Sequence, residues 1–202
     1  MACNTVSSVA LEDLAAMCAP VPVVGVVKPG AQAACRASKN RHIAVMGTES
    51  TISRGAYQQA IHAIDPTALV VSTSCTLFVA LAEEGWVTGD IVESVAQRYL
   101  NELLARHPGA SPDCLVLGCT HFPLLAPAIA KVAGPGMTLV DSATTTAVEV
   151  ASILKEQNLC TTSQQPGSTR FLATDSASRF ARVGTIFLQR PITAQDVQLV
   201  DL

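Results

Sequence analysis

Two short stretches of this chain place a thiol beside groups that bind small polar acids. Cys3-Asn4-Thr5 sets a thiol, an amide and a hydroxyl on consecutive residues. Further on, the run LVLGCTHFPLL at 115–125 sets Cys119, Thr120 and His121 side by side after a Gly turn. Thr120 offers a hydroxyl and a backbone N–H to a carboxylate. His121 can exchange a proton with the thiol or with a substrate amine. Asn4 can accept from an ammonium and donate to a carboxylate. Two thiols on opposite sides of one small anion can invert a stereocentre: one thiolate removes a proton and the other thiol delivers one to the opposite face. Such chemistry needs no metal and no cofactor, and neither is expected here. Cys75, in STSCT at 72–76, has a context like that of Cys119. On the residues alone, three thiols compete for two roles.

Other polar residues have bland readings beside the functional ones. Thr48 and Thr51 in GTESTISRG at 47–55 follow a strand, where they could hold a carboxylate or simply cap a helix. Glu83 and Glu84 precede Gly85 and read as a solvated helix end. His42, His62 and His107 read as surface or loop residues, because no second metal ligand is suitably spaced. Asp141-Ser142 reads as a strand end capping the next helix. Cys18, Cys35, Cys114 and Cys160 read as packed thiols.

The elements that must position these groups alternate. Short β-branched runs at 21–27, 42–47, 68–72, 114–118 and 138–141 read as buried strands. Between them lie helical patterns. The clearest runs from Asp90 to Arg106, with Ile91, Val92, Val95, Ala96, Tyr99, Leu100, Leu103 and Leu104 on one stripe and Asp90 as its cap. A second helix is expected from 144–146 to about 157, a loop at 160–168, a strand in TRFLAT, a short helix with Phe180, Val183 and Phe187 on one face, and a closing strand in DVQLVDL. Strands that are apolar throughout and alternate with helices argue for parallel α/β units. Ligands then gather at the carboxyl ends of the strands, where helix N-termini favour anions and lower the pKa of a thiol.

The bulk composition narrows the function classes. With 202 residues, 49% apolar and 14% charged, the chain can build a real core. A net charge of −3 without a basic block argues against nucleic-acid binding. The apolar runs are too short and too broken by Pro and Gly to span a bilayer. The opening MACNTVSS lacks a basic n-region, and seven Cys without a C-x-x-C pair suit reduced thiols in a cytoplasm.

Taken in order, ACNT, PVVGVVKPG, VMGTESTI, CTLFVALAEEG, LVLGCTHFPLL, VDSA and the closing FLATDSASRF…IFLQRPI…VQLVDL resemble bacterial glutamate racemases of the aspartate/glutamate racemase family. The resemblance implies two similar open parallel-sheet, flavodoxin-like α/β domains with glutamate held between them. It implies a cofactor-independent enzyme supplying D-glutamate for peptidoglycan. By that resemblance Cys3 deprotonates D-glutamate and Cys119 deprotonates L-glutamate, with His121 assisting. Asn4, Thr5 and Thr120 bind the substrate, and Thr48 and Thr51 hold its carboxylate. Glu83 falls beside the active site, and Cys75 matches a non-catalytic thiol. The expected division is 1–27 plus 138–202 for the first domain and 28–137 for the second.

The chain departs from the family pattern at its front. The Asp-Ser-Gly and Pro-Tyr-Gly segments have no counterpart before or after ACNT. The first domain is therefore expected to be N-terminally truncated, and the chain alone to be a poor racemase. Glutamate is the expected small-molecule partner, and a homodimer is compatible with the reading. Alternatives are a related two-thiol racemase acting on aspartate, a non-catalytic binding module, or, more weakly, a thiol redox protein.

Overall fold

The computed structural model describes residues 1–201. In chain order the first elements are α1 (Asn4–Ser7), α2 (Leu11–Cys18), α3 (Val27–Ala37), β1 (His42–Gly47), α4 (Glu49–Ser53), α5 (Ala56–Ile64) and β2 (Leu69–Ser74). Then follow α6 (Leu77–Glu83), α7 (Asp90–Arg106), β3 (Cys114–Gly118), a 3-10 turn (Phe122–Leu125), α8 (Ala126–Ala133) and β4 (Thr138–Asp141). The chain closes with α9 (Ser142–Glu156), β5 (Phe171–Ala173), α10 (Ala177–Leu188), a second 3-10 turn (Ala194–Asp196) and β6 (Val197–Leu199).

Four strands form a parallel sheet in the order β2-β1-β3-β4. Their near-continuous apolar sequences follow from burial on both faces, and the two-residue side-chain period divides them. Ile43, Val45, Cys114 and Val116 point to one layer with Val27, Ala31 and Ala34 of α3 and Tyr57 and Ile61 of α5. Ala44, Met46, Leu115 and Leu117 point to the other, with Phe78 of α6, Val92 and Leu103 of α7, Phe122, and Ile129 of α8. A separate parallel pair, β5 and β6, packs against α10 through Phe171, Phe180, Ala181, Ile192 and Val197.

Strands 42–47, 114–118 and 138–141 lie where the sequence places them, and the strand at 68–72 begins one residue late and runs on to Ser74. Segment 21–27 does not form the expected strand. It has no neighbouring strand to complete a ladder. Instead the Val24 carbonyl accepts from the Met1 ammonium at 2.6 Å, the Val26 N–H donates to Ser7 Oγ at 3.3 Å, and α3 starts at Val27. Gly89 at φ 95°, rather than Asp90, caps α7, so Asp90 joins the first turn. The helix expected from 144–146 starts at Ser142, with the Asp141 carboxylate accepting from the Thr144 N–H at 2.7 Å. β4 adds to the central sheet beside β3, so that sheet reaches past the expected boundary at 137. The closing strand covers 197–199; Leu202 lies outside the described residues.

Candidate active site

All four strands of the central sheet end on one edge, and the chemistry collects there. β1 ends at Gly47 and delivers Thr48; β3 ends at Gly118 and delivers Cys119, Thr120 and His121; β4 delivers Ser142. The strand order reverses between β1 and β3, which opens a crevice outside their carboxyl ends. Gly118 allows the tight approach needed there. A Cβ at that position would sit 3.0 Å from the Met46 carbonyl oxygen and 3.1 Å from the Tyr57 ring.

Three hydroxyls meet on one side of the crevice. Thr5 Oγ1 lies 2.9 Å from Thr48 Oγ1 and 3.3 Å from Thr51 Oγ1, and the latter two are 3.0 Å apart. Thr48 also caps α4, accepting from the Thr51 N–H at 3.4 Å. Thr48 is therefore both the cap of α4 and a member of the hydroxyl cluster.

Cys3 is exposed at the start of α1, and the next residue is its anchor. Asn4 is only 2% exposed. Its Oδ1 accepts from the Tyr57 hydroxyl at 2.7 Å and its Nδ2 donates to Ser142 Oγ at 3.3 Å. The amide expected to meet substrate is thus engaged at both ends by protein. Burial, followed by the nearby Cys119, pushes the Tyr57 phenol up, so it serves as a neutral donor. Thr120 Oγ1 donates to the Ala2 carbonyl at 2.9 Å, tying the β3 loop to the Cys3 loop.

On the other side a line of side chains starts at Cys119. His121 Nδ1 lies 3.8 Å from Cys119 Sγ, and His121 Nε2 lies 3.2 Å from Glu83 Oε1. Glu83 Oε2 pairs with the Arg179 guanidinium of α10, and Arg182 Nη1 donates to the Glu83 carbonyl at 2.7 Å. The Phe187 ring meets the His121 ring edge-on at 5.5 Å. Glu83 is therefore no solvated helix end. Its carboxyl is held below the usual range, first by the Arg179 hydrogen bond, against a penalty from burial. A cavity of about 990 Å³ opens beside this line, walled by Thr120, His121, Glu83, Arg179 and Phe187.

The expected lowering of the Cys119 thiol is not what its surroundings produce. Cys119 is 6% exposed, and burial pushes its thiol up; the His121 N–H opposes this, the nearby Cys3 adds to it, and the Phe122 N–H again opposes. Burial outweighs the backbone donors because a short 3-10 turn, rather than a full α-helix, follows the thiol. The Thr120–Ala2 hydrogen bond sets the loop that carries Cys3 against the loop that carries Cys119. Cys75 is fully buried, its Sγ 3.8 Å from the Thr73 carbonyl, and packs with Phe78 and Phe122. Cys114 is also packed and Cys35 is half-buried, whereas Cys18 and Cys160 are exposed, contrary to the packing expected of them. No group of three or more His, Cys, Asp or Glu among the described residues is arranged to hold a metal. No helix among them is long and apolar enough to cross a membrane.

Tyr57, Ser142 and Arg179 are the site residues that sequence reasoning missed. Tyr57 sits within a helix without a motif around it; Arg179 lies inside FLATDSASRF, but only the tertiary fold brings its guanidinium to Glu83. Ser142 was visible, but as a cap.

The Asp/Glu/hydantoin racemase family profile matches residues 1–150. A glutamate racemase of Geobacter metallireducens is 43% identical over 93% of this chain and 68% of its own length. One from Neisseria meningitidis is 38% identical over 100% of this chain and 72% of its own. Among solved structures, glutamate racemase isoform RacE1 of Bacillus anthracis superposes with a TM-score of 0.88 at 33% identity, covering 99% of this chain and 72% of that one. The Francisella tularensis glutamate racemase, solved in complex with D-glutamate, gives 0.85 at 32% identity over 98% and 71%. A crevice at the switch point of a parallel sheet, two thiol-bearing loops tied together by Thr120 and this similarity along nearly the whole chain lead to one conclusion: the chain belongs to the Asp/Glu/hydantoin racemase family, among the glutamate racemases.

Proposed function

We propose that this chain interconverts L-glutamate and D-glutamate by two-thiol proton transfer. The observation that carries the proposal is the Thr120–Ala2 bond that ties the Cys3 loop to the Cys119 loop at one crevice, with the Thr5–Thr48–Thr51 hydroxyls on one side and the Cys119–His121–Glu83 line on the other. The hydroxyl cluster, with its rotatable donors, suits a carboxylate.

In the L-to-D direction the Cys119 thiolate takes the α-proton and the Cys3 thiol gives one to the opposite face. The products are D-glutamate, a Cys119 thiol and a Cys3 thiolate; the reverse direction exchanges the roles. His121 Nδ1 is placed to receive the Cys119 proton before L-glutamate reacts; afterwards it releases that proton to solvent, while the exposed Cys3 thiolate takes one up from solvent. Asn4 positions the Cys3 loop through Tyr57 and Ser142. Thr120 ties the two thiol loops together and lends its backbone N–H to substrate. The buried, partly apolar setting of Cys119 limits ionisation without substrate and favours a proton transfer coupled to binding. The product role is D-glutamate supply for peptidoglycan, in the cytoplasm.

Chiral chromatography of the 202-residue chain incubated with L-glutamate, D-glutamate or aspartate tests this. Slow conversion of glutamate in both directions is expected, in keeping with a chain expected to be a poor racemase on its own, and it should fall by about 10²–10⁴-fold in C3S and in C119S. Conversion that survives both substitutions, or that prefers aspartate, overturns the proposal.

A further inference from the structure

The Cys119 line does not end at Glu83. It continues into α10, a helix whose Arg179 lies 96 positions beyond Glu83 and whose own packing is with β5 and β6. One oxygen of the Glu83 carboxylate faces His121 Nε2 at 3.2 Å and the other pairs with the Arg179 guanidinium. Arg182, one turn along, grips the backbone carbonyl of the same residue. Phe187, near the end of α10, packs its ring against the His121 edge. A single helix therefore touches Glu83 at its carboxylate and its carbonyl, and touches the histidine that Glu83 orients.

We propose that Arg179 is a positioning residue for the Cys119 half of the reaction: by fixing Glu83 and sharing its charge, it sets the orientation and basicity of His121. The charged and titratable groups around this line are few. Glu83 faces Arg179 and His121; Asp175 and Glu84 lie near Arg179; Cys119, with Cys3 beyond it, lies on the other side of His121. A carboxylate paired with a guanidinium presents less negative charge to its second neighbour than a lone carboxylate does. Without Arg179, Glu83 acts on His121 undiluted and favours the imidazolium. An imidazolium cannot receive the Cys119 proton. The freed carboxylate also samples other rotamers, and the His121 ring loses its fixed aim at Sγ.

The kinetic half of this inference rests on the racemase reading; the titration half does not. The chain holds four histidines, so comparison with H121Q assigns the His121 signal in an NMR titration of the full chain. R179Q is expected to move the His121 midpoint upward, because the unpaired Glu83 carboxylate favours the imidazolium. R179K should restore it in large part. R182Q, which loses a bond to the carbonyl instead of the carboxylate, should leave it in place while weakening α10 docking. In an E83Q background R179Q should have no further effect, because the intermediary is gone. On activity, R179Q should lower kcat for L-glutamate several-fold with KM little changed, and affect D-glutamate less. An unmoved His121 midpoint in R179Q overturns the inference. So does an equal shift in R182Q, or an effect of R179Q that persists in E83Q. A wild-type chain that does not act on glutamate but shows the titration pattern removes the racemase reading and leaves the Arg179–Glu83–His121 coupling standing.

Discussion

Cys119 illustrates how a reactive side chain is tuned by where it sits. The strand that delivers it is fully buried, so the thiol leaves water before the backbone N–H groups of His121 and Phe122 can compensate. Its pKa is raised, so the thiolate is scarce at neutral pH and grows as pH climbs past the ordinary cysteine range. Site-resolved alkylation by iodoacetamide should therefore be slower at Cys119 than at the exposed Cys3, and its rate should still be rising above about pH 9. A Cys119 rate that levels off below pH 8 would contradict this environment. Asn4 makes the opposite point, since it is buried and paired rather than open. N4A leaves the Tyr57 hydroxyl and Ser142 Oγ without their partners and should cost about 1–3 kcal/mol of stability, read by chemical denaturation. Y57F removes one donor and should cost less. The thiols and the threonines were legible in the sequence because their types cluster in short motifs. Tyr57 and Arg179 were not, because each acts through one contact made only when distant helices pack.

At the scale of elements, the site is made by the ends of strands, and small changes there should be felt. T48A removes both the cap of the five-residue α4 and one corner of the hydroxyl cluster. It should cost about 1 kcal/mol of stability and raise the KM for glutamate. G118A must push against the Met46 carbonyl and the Tyr57 ring, and should displace the Cys119 loop, seen as lost activity with secondary structure retained. The docking of α10 is pH-dependent with a definite sign. Glu83 is depressed, so the stability it lends through Arg179 is present above the ordinary glutamate range and is lost as pH falls through the depressed value. Amide shifts of α10 should move in that acidic window, and should not in E83Q. Strand positions in the central sheet were legible from apolar runs, except that β2 starts one residue later and ends two residues later than its apolar run. Segment 21–27 had the same composition without a neighbour to pair with, and pairing is not written in local pattern.

At the scale of the whole molecule, the central sheet is covered on both faces while other surfaces stay apolar. The outer side of α9 exposes Val148, 68% accessible, and beside it a cavity of about 460 Å³ is lined by Met1, Ala2, Val26, Ala147, Val150 and Leu154. The parallel α/β class was readable from alternating segments. The strand order was not, because an order of β2-β1-β3-β4 depends on crossovers that leave no local mark. That order is what brings Thr48 and Cys119 to the two sides of one crevice, and the two-thiol claim depends on it. The most direct test is α-proton exchange in deuterated buffer, with L-glutamate and D-glutamate separately, for the wild-type chain, C3S and C119S. Deuterium entering the α-position of both enantiomers with inversion, blocked for D-glutamate in C3S and for L-glutamate in C119S, is the result expected. Exchange from both enantiomers that persists in either variant, or none from the wild-type chain, would contradict it.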